Sequence, residues 1–199
     1  KINQVQREFF RQLTLLLGEA GVSPRQLFDE LSRRGITASG TDQAEFAGRE
    51  AMVLVETAVD LAGDPCLAIR LGQKLGVASY GSFGFALMSC ANLRESITLL
   101  LRYGQVLFEP RWTAYEHEGG LLLRANISLG TAAQRRLVTE LSFSNVTAVG
   151  RSLYGSQVER LEDAEIQLSY SRPANSACYN RAFNVPLAFD CQHSQFFLP

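Results

Sequence analysis

The sequence predicts an α+β fold: an N-terminal helical part over about residues 1–109, then a small antiparallel sheet with a long packed helix over about 110–199, in the order β-β-α-β-β. Three observations predict it. Apolar residues recur at helical spacing behind repeated capping signals as far as Leu101. The period changes to two after Pro110. Gly119 and Gly120 then separate two alternating stretches, as in a tight hairpin. No composition break accompanies the change, so one domain is expected, with a possible seam near Pro110.

The helices follow in order. Residues 5–17 carry Val5, Phe9, Leu13, Leu16 and Leu17 at helical spacing. Ser23, Pro24 and Gln26 supply an N-cap, a proline at the first helical position and a capping-box glutamine ahead of Leu27, Phe28 and Leu31. Asp42 to Glu45 has related capping character and opens a segment containing Phe46, Met52, Val53, Val55, Val59 and Leu61. Asp64 and Pro65 start a third segment through Ala68, Leu71 and Leu75 to Gly76, and Asn92 with Glu95 heads a fourth through Leu93, Ile97, Leu100 and Leu101.

Strands are predicted over 112–118 and 121–127, the second with Leu121, Leu123, Ala125 and Ile127 on one face and Leu122, Arg124 and Asn126 on the other. Thr131 and Gln134 form a further capping box, starting a helix that runs to about Leu153. Residues 165–170 and 185–189 read as two more strands.

Composition narrows the function. A net charge of −1 argues against this segment holding nucleic acid by itself, because phosphate neutralisation needs a clustered excess of Lys and Arg. The four cysteines, Cys66, Cys90, Cys178 and Cys191, show no C-x-x-C pair, and reduced, mostly buried thiols are expected. No apolar run approaches the roughly 20 residues that span a bilayer, so no membrane partner is expected. With no charged segment leading into an apolar one at the start, a cytoplasmic protein is expected. The glycosylation-like triplets at Asn126 and Asn145 then read as chance matches. The chain starts at Lys1 and stops at Pro199 after an apolar run, which suggests a piece of something longer.

Catalysis has little support. The two histidines, His117 and His193, leave Cys191 with His193 as the one nearby Cys–His pair, and a half-buried cysteine beside a surface histidine explains it better than a hydrolase. Two histidines and scattered thiols make a poor metal site, so neither a catalytic set, a metal nor a cofactor is expected. Gly81 and Gly84 lack the lysine of a phosphate loop and the third glycine of a dinucleotide fingerprint. They read instead as letting helical segments approach closely, or as shaping a loop over a cavity. Tyr80, Phe83, Phe108, Trp112 and Tyr170 are candidates for the walls of a ligand pocket, with an ordinary core as the alternative. Arg111, beside the tryptophan, and Arg124, mid-strand among leucines, each call for an anionic partner, either an internal acid or a ligand headgroup.

Gly81, Gly84, Leu87, Ser89, Asn92, Leu93, Glu95 and Ser96 spell G-x-x-G-x-x-L-x-S-x-x-N-L-x-E-S. The pattern resembles the N-terminal, arabinose-binding-type domain of AraC/XylS-type bacterial transcription regulators. The similarity extends through Leu100, Tyr103, the hairpin and the long helix to a tail between Phe183 and Pro199. Asn92 stands where the family usually has threonine, and both residues cap helices well. The resemblance implies an effector-sensing and dimerising domain whose helix-turn-helix DNA reader lies outside this chain. The expected partners are therefore a small-molecule effector, anionic or amphipathic, a second copy of the chain, and DNA only through that missing domain. The pocket is expected between residues 76–103 and the sheet. A ligand-free oligomerisation module is the alternative, favoured if no cavity above roughly 300 Å³ exists.

Overall fold

A computed structural model describes residues 4–36, 48–104, 109–155, 163–174 and 176–199. Its first helices are α1 (Gln4–Glu19), α2 (Pro24–Arg33), α3 (Arg49–Ala62) and α4 (Leu67–Lys74). Ser23 caps α2 through a complete capping box with Gln26. The start expected at Asp42 to Glu45 lies outside the described residues, and α3 is followed there from Arg49. A short 3₁₀ turn, Val77–Tyr80, leads into α5 (Gly81–Met88) and α6 (Leu93–Tyr103). The Asn92 side chain accepts from the Glu95 amide, forming the N-cap read from sequence, while the Glu95 carboxylate reaches back one residue further, to Ala91 N–H.

The second half contains β1 (Arg111–His117), β2 (Gly120–Asn126), α7 (Ala132–Tyr154), β3 (Glu165–Gln167), α8 (Ala177–Phe183), β4 (Leu187–Ala188) and β5 (Gln195–Leu198). The strands form one mixed sheet in the order β1-β2-β5-β3-β4. All its pairings are antiparallel except β3 with β4. The α+β plan read from sequence holds, enlarged by α8 and β5 and by that one parallel pairing. The third predicted strand is shorter than expected, because its pairing with β5 ends at Gln167 and only the edge towards β4 continues one residue further. Leu168 N–H donates to the Ala188 carbonyl and Ser169 N–H to Ser194 Oγ.

The hairpin turns one residue earlier than the glycine pair suggests. His117 pairs with Gly120, leaving Glu118 and Gly119 as the turn, with Gly119 at φ +78°. Gly120 is a strand residue for a different reason. A Cβ there would press into the Leu198 carbonyl of β5.

Two main apolar cores, with a smaller cluster of Val55, Ala68 and Leu137, result among the described residues. One is leucine-rich and lies among α1 to α4, with Leu13, Leu16, Leu17, Leu27, Leu31, Leu54, Leu67 and Leu71. The other joins the sheet to α6, α7 and α8 through Ile97, Trp112, Leu123, Phe143, Ile166, Phe183 and Phe196. Helices α4 and α7 connect them at Gly72, where a Cβ would collide with Ser144 Oγ and the Leu141 carbonyl.

The cysteines depart from expectation. Cys66 and Cys178 form a disulfide across 112 residues of sequence, while Cys90 and Cys191 remain free thiols. Distant positions meet because Cys66 precedes α4 and Cys178 opens α8, and these helices pack together.

Candidate functional site

Between α5, α6, α7 and the inner face of the sheet lies a cavity of about 710 Å³ that extends towards α1 and α3. Its floor comes from strand alternation. The register places Leu123 beside Phe196 and Phe196 beside Ile166, so one row of apolar side chains crosses three strands on the same face. Trp112 lies over Phe143 and Phe196, with ring centroids 5.5 and 6.1 Å apart. Ile97 and Leu100 of α6, Val138, Val146 and Val149 of α7, and Phe183 with Val185 complete the apolar walls.

A few polar groups interrupt these walls. Asn145 is buried in α7 and works in two directions. Its amide donates to the Gly72 and Leu75 carbonyls at 3.1 and 2.5 Å, and its oxygen accepts from the Tyr80 hydroxyl. Burial pushes the Tyr80 phenol well up, so it stays a neutral donor. Ser96 Oγ bonds to Tyr154 OH, which donates to the Asn92 carbonyl at 3.0 Å. Arg151 donates to the Ala182 and Phe183 carbonyls at 3.0 and 2.8 Å, holding the C-terminal end of α8 against the cavity. Glu109 Oε2 and Thr147 Oγ1 are buried without a hydrogen-bond partner among the described residues. Both residues line the cavity.

The structure brings Tyr80, Phe83, Arg111 and Trp112 together on this lining. Phe108 lies outside the described residues. Arg124 is elsewhere: its guanidinium carbon sits 4.7 Å from the Tyr115 ring centroid, and Nε donates to Gln195 Oε1 at 2.9 Å. The partner its position called for is thus an aromatic face and an amide. Tyr170 belongs to a different cluster, 3.4 Å from the Tyr179 hydroxyl, which in turn donates to Glu140. Arg136 Nε is 3.1 Å from Glu140 Oε1, but Glu140 Oε2 has no hydrogen-bond partner among the described residues, and burial raises this carboxyl to about 6 against the pull of Tyr179 and Arg136. Sequence reasoning missed Ser96, Asn145 and Arg151. Asn145 had one signal, an amide amid the apolar stripe of a long helix.

Cys191 Sγ donates to the Phe189 carbonyl, and no hydrogen bond joins it to His193 among the described residues. No group of His, Cys, Asp and Glu suited to a metal ion occurs among the described residues. No helix among them is long and apolar enough to cross a membrane.

A solved structure shares this architecture: transcriptional regulator CdpR from Pseudomonas aeruginosa matches with a TM-score of 0.59 over 88% of this chain and 54% of that one, at 22% identity. That likeness establishes the fold. The sequence also matches the family described as the arabinose-binding domain of AraC transcription regulator, N-term, over residues 16–199, and the chain belongs to that family. It is a family of transcription-regulator domains, not of enzymes. The ornithine utilization regulator of P. aeruginosa is 32% identical over 181 residues, covering 88% of this chain. HTH-type transcriptional regulators of Mycobacterium bovis and Mycobacterium tuberculosis, themselves uncharacterized, are each 29% identical over 136 residues and 62% of this chain. The chain spans 51% of the first relative and 40% of each mycobacterial one.

Proposed function

We propose that this chain is the effector-sensing part of an AraC-type regulator, and that a small molecule bound in the 710 Å³ cavity controls a DNA-binding domain attached beyond Pro199. The cavity carries the reading. Its size exceeds the roughly 300 Å³ at which small-molecule sites begin, which favours a sensor over a ligand-free oligomerisation module. The walls are mostly apolar, with charge at Arg111 and Glu109 near one another in sequence at the start of β1. Arg151 and Glu165 also line it, but Arg151 is occupied by backbone carbonyls and Glu165 by the Gln167 amide.

The ligand is anionic or amphipathic, with a carboxylate on Arg111 and a body against Tyr80, Phe83 and Trp112. A ligand bearing an ammonium group as well would satisfy Glu109 Oε2. The name of the P. aeruginosa relative makes ornithine one compound to include in a panel. The regulator works as a cytoplasmic homodimer. A ligand that prefers one conformation by 100-fold biases the equilibrium by about 2.7 kcal/mol, enough to reorient an attached domain.

Native mass spectrometry of protein purified from its own host is expected to show a retained small molecule and the dimer. Isothermal titration against a metabolite panel is expected to find a ligand whose affinity falls in Arg111→Ala and Trp112→Ala. Binding unchanged in both variants would rule out this site.

A further inference from the structure

We propose that Cys66–Cys178 is a reversible thiol–disulfide exchange site, and that its state sets how firmly α8, one wall of the cavity, is held. The cavity half of this inference rests on the effector-binding reading above.

The pair is open to chemistry. Cys66 is half-buried, Cys178 is buried, and both line a polar cleft of about 390 Å³ together with Asp64, Arg70, Gln73 and Arg181. Arg70 is committed to Asp64 and Glu19, with Asp64 Oδ2 2.8 Å from its guanidinium. Arg181 is exposed and pairs with no carboxylate among the described residues. Counted with Glu19, the two guanidinium groups and two carboxylates balance, and Arg181 is the group on the cleft wall that meets the carboxylates of a small thiol.

The exchange balances. A low-molecular-weight thiolate attacks the sulfur of Cys66, the less buried residue of the pair, forming a mixed disulfide and releasing Cys178 as thiolate. A second thiolate attacks the external sulfur of that mixed disulfide, leaving Cys66 as thiolate and the small disulfide as product. Two protons from the incoming thiols end on the protein, which gains two electrons in all. The reverse sequence, with a small disulfide as oxidant, closes the bond.

The consequence follows from where α8 is fastened. Cys178 ties its first turn to α4, and Arg151 holds its last carbonyls. Phe183 and the following Asn184, Val185 and Pro186 all line the cavity. Opening the disulfide removes the covalent fastening, leaving the hydrogen bonds of Arg151 and of Tyr179 with Glu140, and loosens the segment that forms the wall.

The test equilibrates the protein in buffers of reduced and oxidised glutathione and reads three quantities. Alkylation with intact-mass detection is expected to show two reactive cysteines in oxidising buffer and all four in reducing buffer. Hydrogen exchange over residues 177–183 is expected to accelerate by about tenfold on reduction. Binding of the apolar dye N-phenyl-1-naphthylamine in the cavity is expected to weaken by about fivefold. Cys178→Ser should show the reduced behaviour in every buffer, and Cys66→Ala provides a second variant should that one fail to fold. Cys90→Ser should respond as the wild type does. Four reactive cysteines in the most oxidising buffer, or unchanged exchange over α8, overturns the latch. Equal dye affinity in both states with altered α8 exchange overturns its coupling to the cavity. A dye that binds neither state defeats the effector-site reading instead, while alkylation and exchange still decide the latch.

Discussion

The helical half and the sheet half of this molecule hide their apolar side chains from solvent equally well, but against different neighbours. Leu71 in α4 is completely covered and Leu123 in β2 is 2% exposed. Leu71 belongs to a cluster of leucines drawn from α1, α2, α3 and α4, whereas Leu123 borders the cavity. Low exposure therefore does not mean full packing. A side chain beside a void has lost dispersion partners on one side, so its truncation removes fewer contacts and adds to a space already present. The leucines around Leu71 fill their space, whereas the side chains around Leu123 leave room for an occupant between the helices and the sheet.

The largest effect is expected at the junction. Alanine is the better helix former by about 1 kcal/mol, so Gly72→Ala would stabilise α4 if nothing touched it. Its Cβ would instead meet the Leu141 carbonyl, a backbone atom that cannot move without shifting α7. A loss of about 3 kcal/mol or more is expected in urea unfolding, and a gain would mean that the two halves are not held at this contact.

Paired truncations come next. Leu71→Ala is expected to cost about 3 kcal/mol and Leu123→Ala about half of that, by the same denaturation measurement. Equal losses would break the distinction between a filled core and one that borders a cavity. Saturating ligand should stabilise the protein more when Leu123 is intact than in Leu123→Ala.

Asn145→Ala sharpens the comparison from the polar side. It leaves the Gly72 and Leu75 carbonyls and the Tyr80 hydroxyl without their partner, at an expected cost of about 2 kcal/mol. Because Tyr80 lines the cavity, effector affinity should fall as well. Lost stability with unchanged affinity would confine Asn145 to joining the halves.

What was legible in the sequence follows this same division between local and long-range causes. The caps at Ser23, Asn92 and Thr131 are local hydrogen bonds, and each formed as read. Helix α8 has no side-chain cap and takes its place from Cys66, Arg151 and Glu140, all remote in sequence. Strand β5 lies between β2 and β3, so it shows no simple alternation of apolar and polar residues. Its Gln195 serves Arg124 and Gln167, a pairing that no spacing announces. Four of the seven candidate pocket residues lie on the cavity: Tyr80 and Phe83, three apart around the start of α5, and Arg111 with Trp112 at the start of β1. The polar groups of α7 were hidden, since only the close α4 contact at Gly72 fixes which way that face turns.

The smallest expected effect concerns Glu140, on the side of α7 that meets α8. Its carboxyl titrates at about 6 in the folded protein, raised chiefly by burial, against an ordinary value of 4.5. A raised carboxylate titration means that the folded state binds the proton more tightly than the unfolded chain does. Glu140 therefore imposes no penalty below about pH 4.5, and its contribution to stability falls as pH rises towards about 6 and is level above that. The difference amounts to about 1–2 kcal/mol. Subtracting the pH profile of Glu140→Gln from that of the wild type isolates this step from every other carboxylate. The glutamine keeps an oxygen for the Tyr179 hydroxyl and loses only the ionisation, so the difference curve should slope downward between pH 4.5 and 6. A flat curve would place the carboxylate in contact with water, and a rising one would make Arg136 a dominant partner, its ion pair outweighing burial.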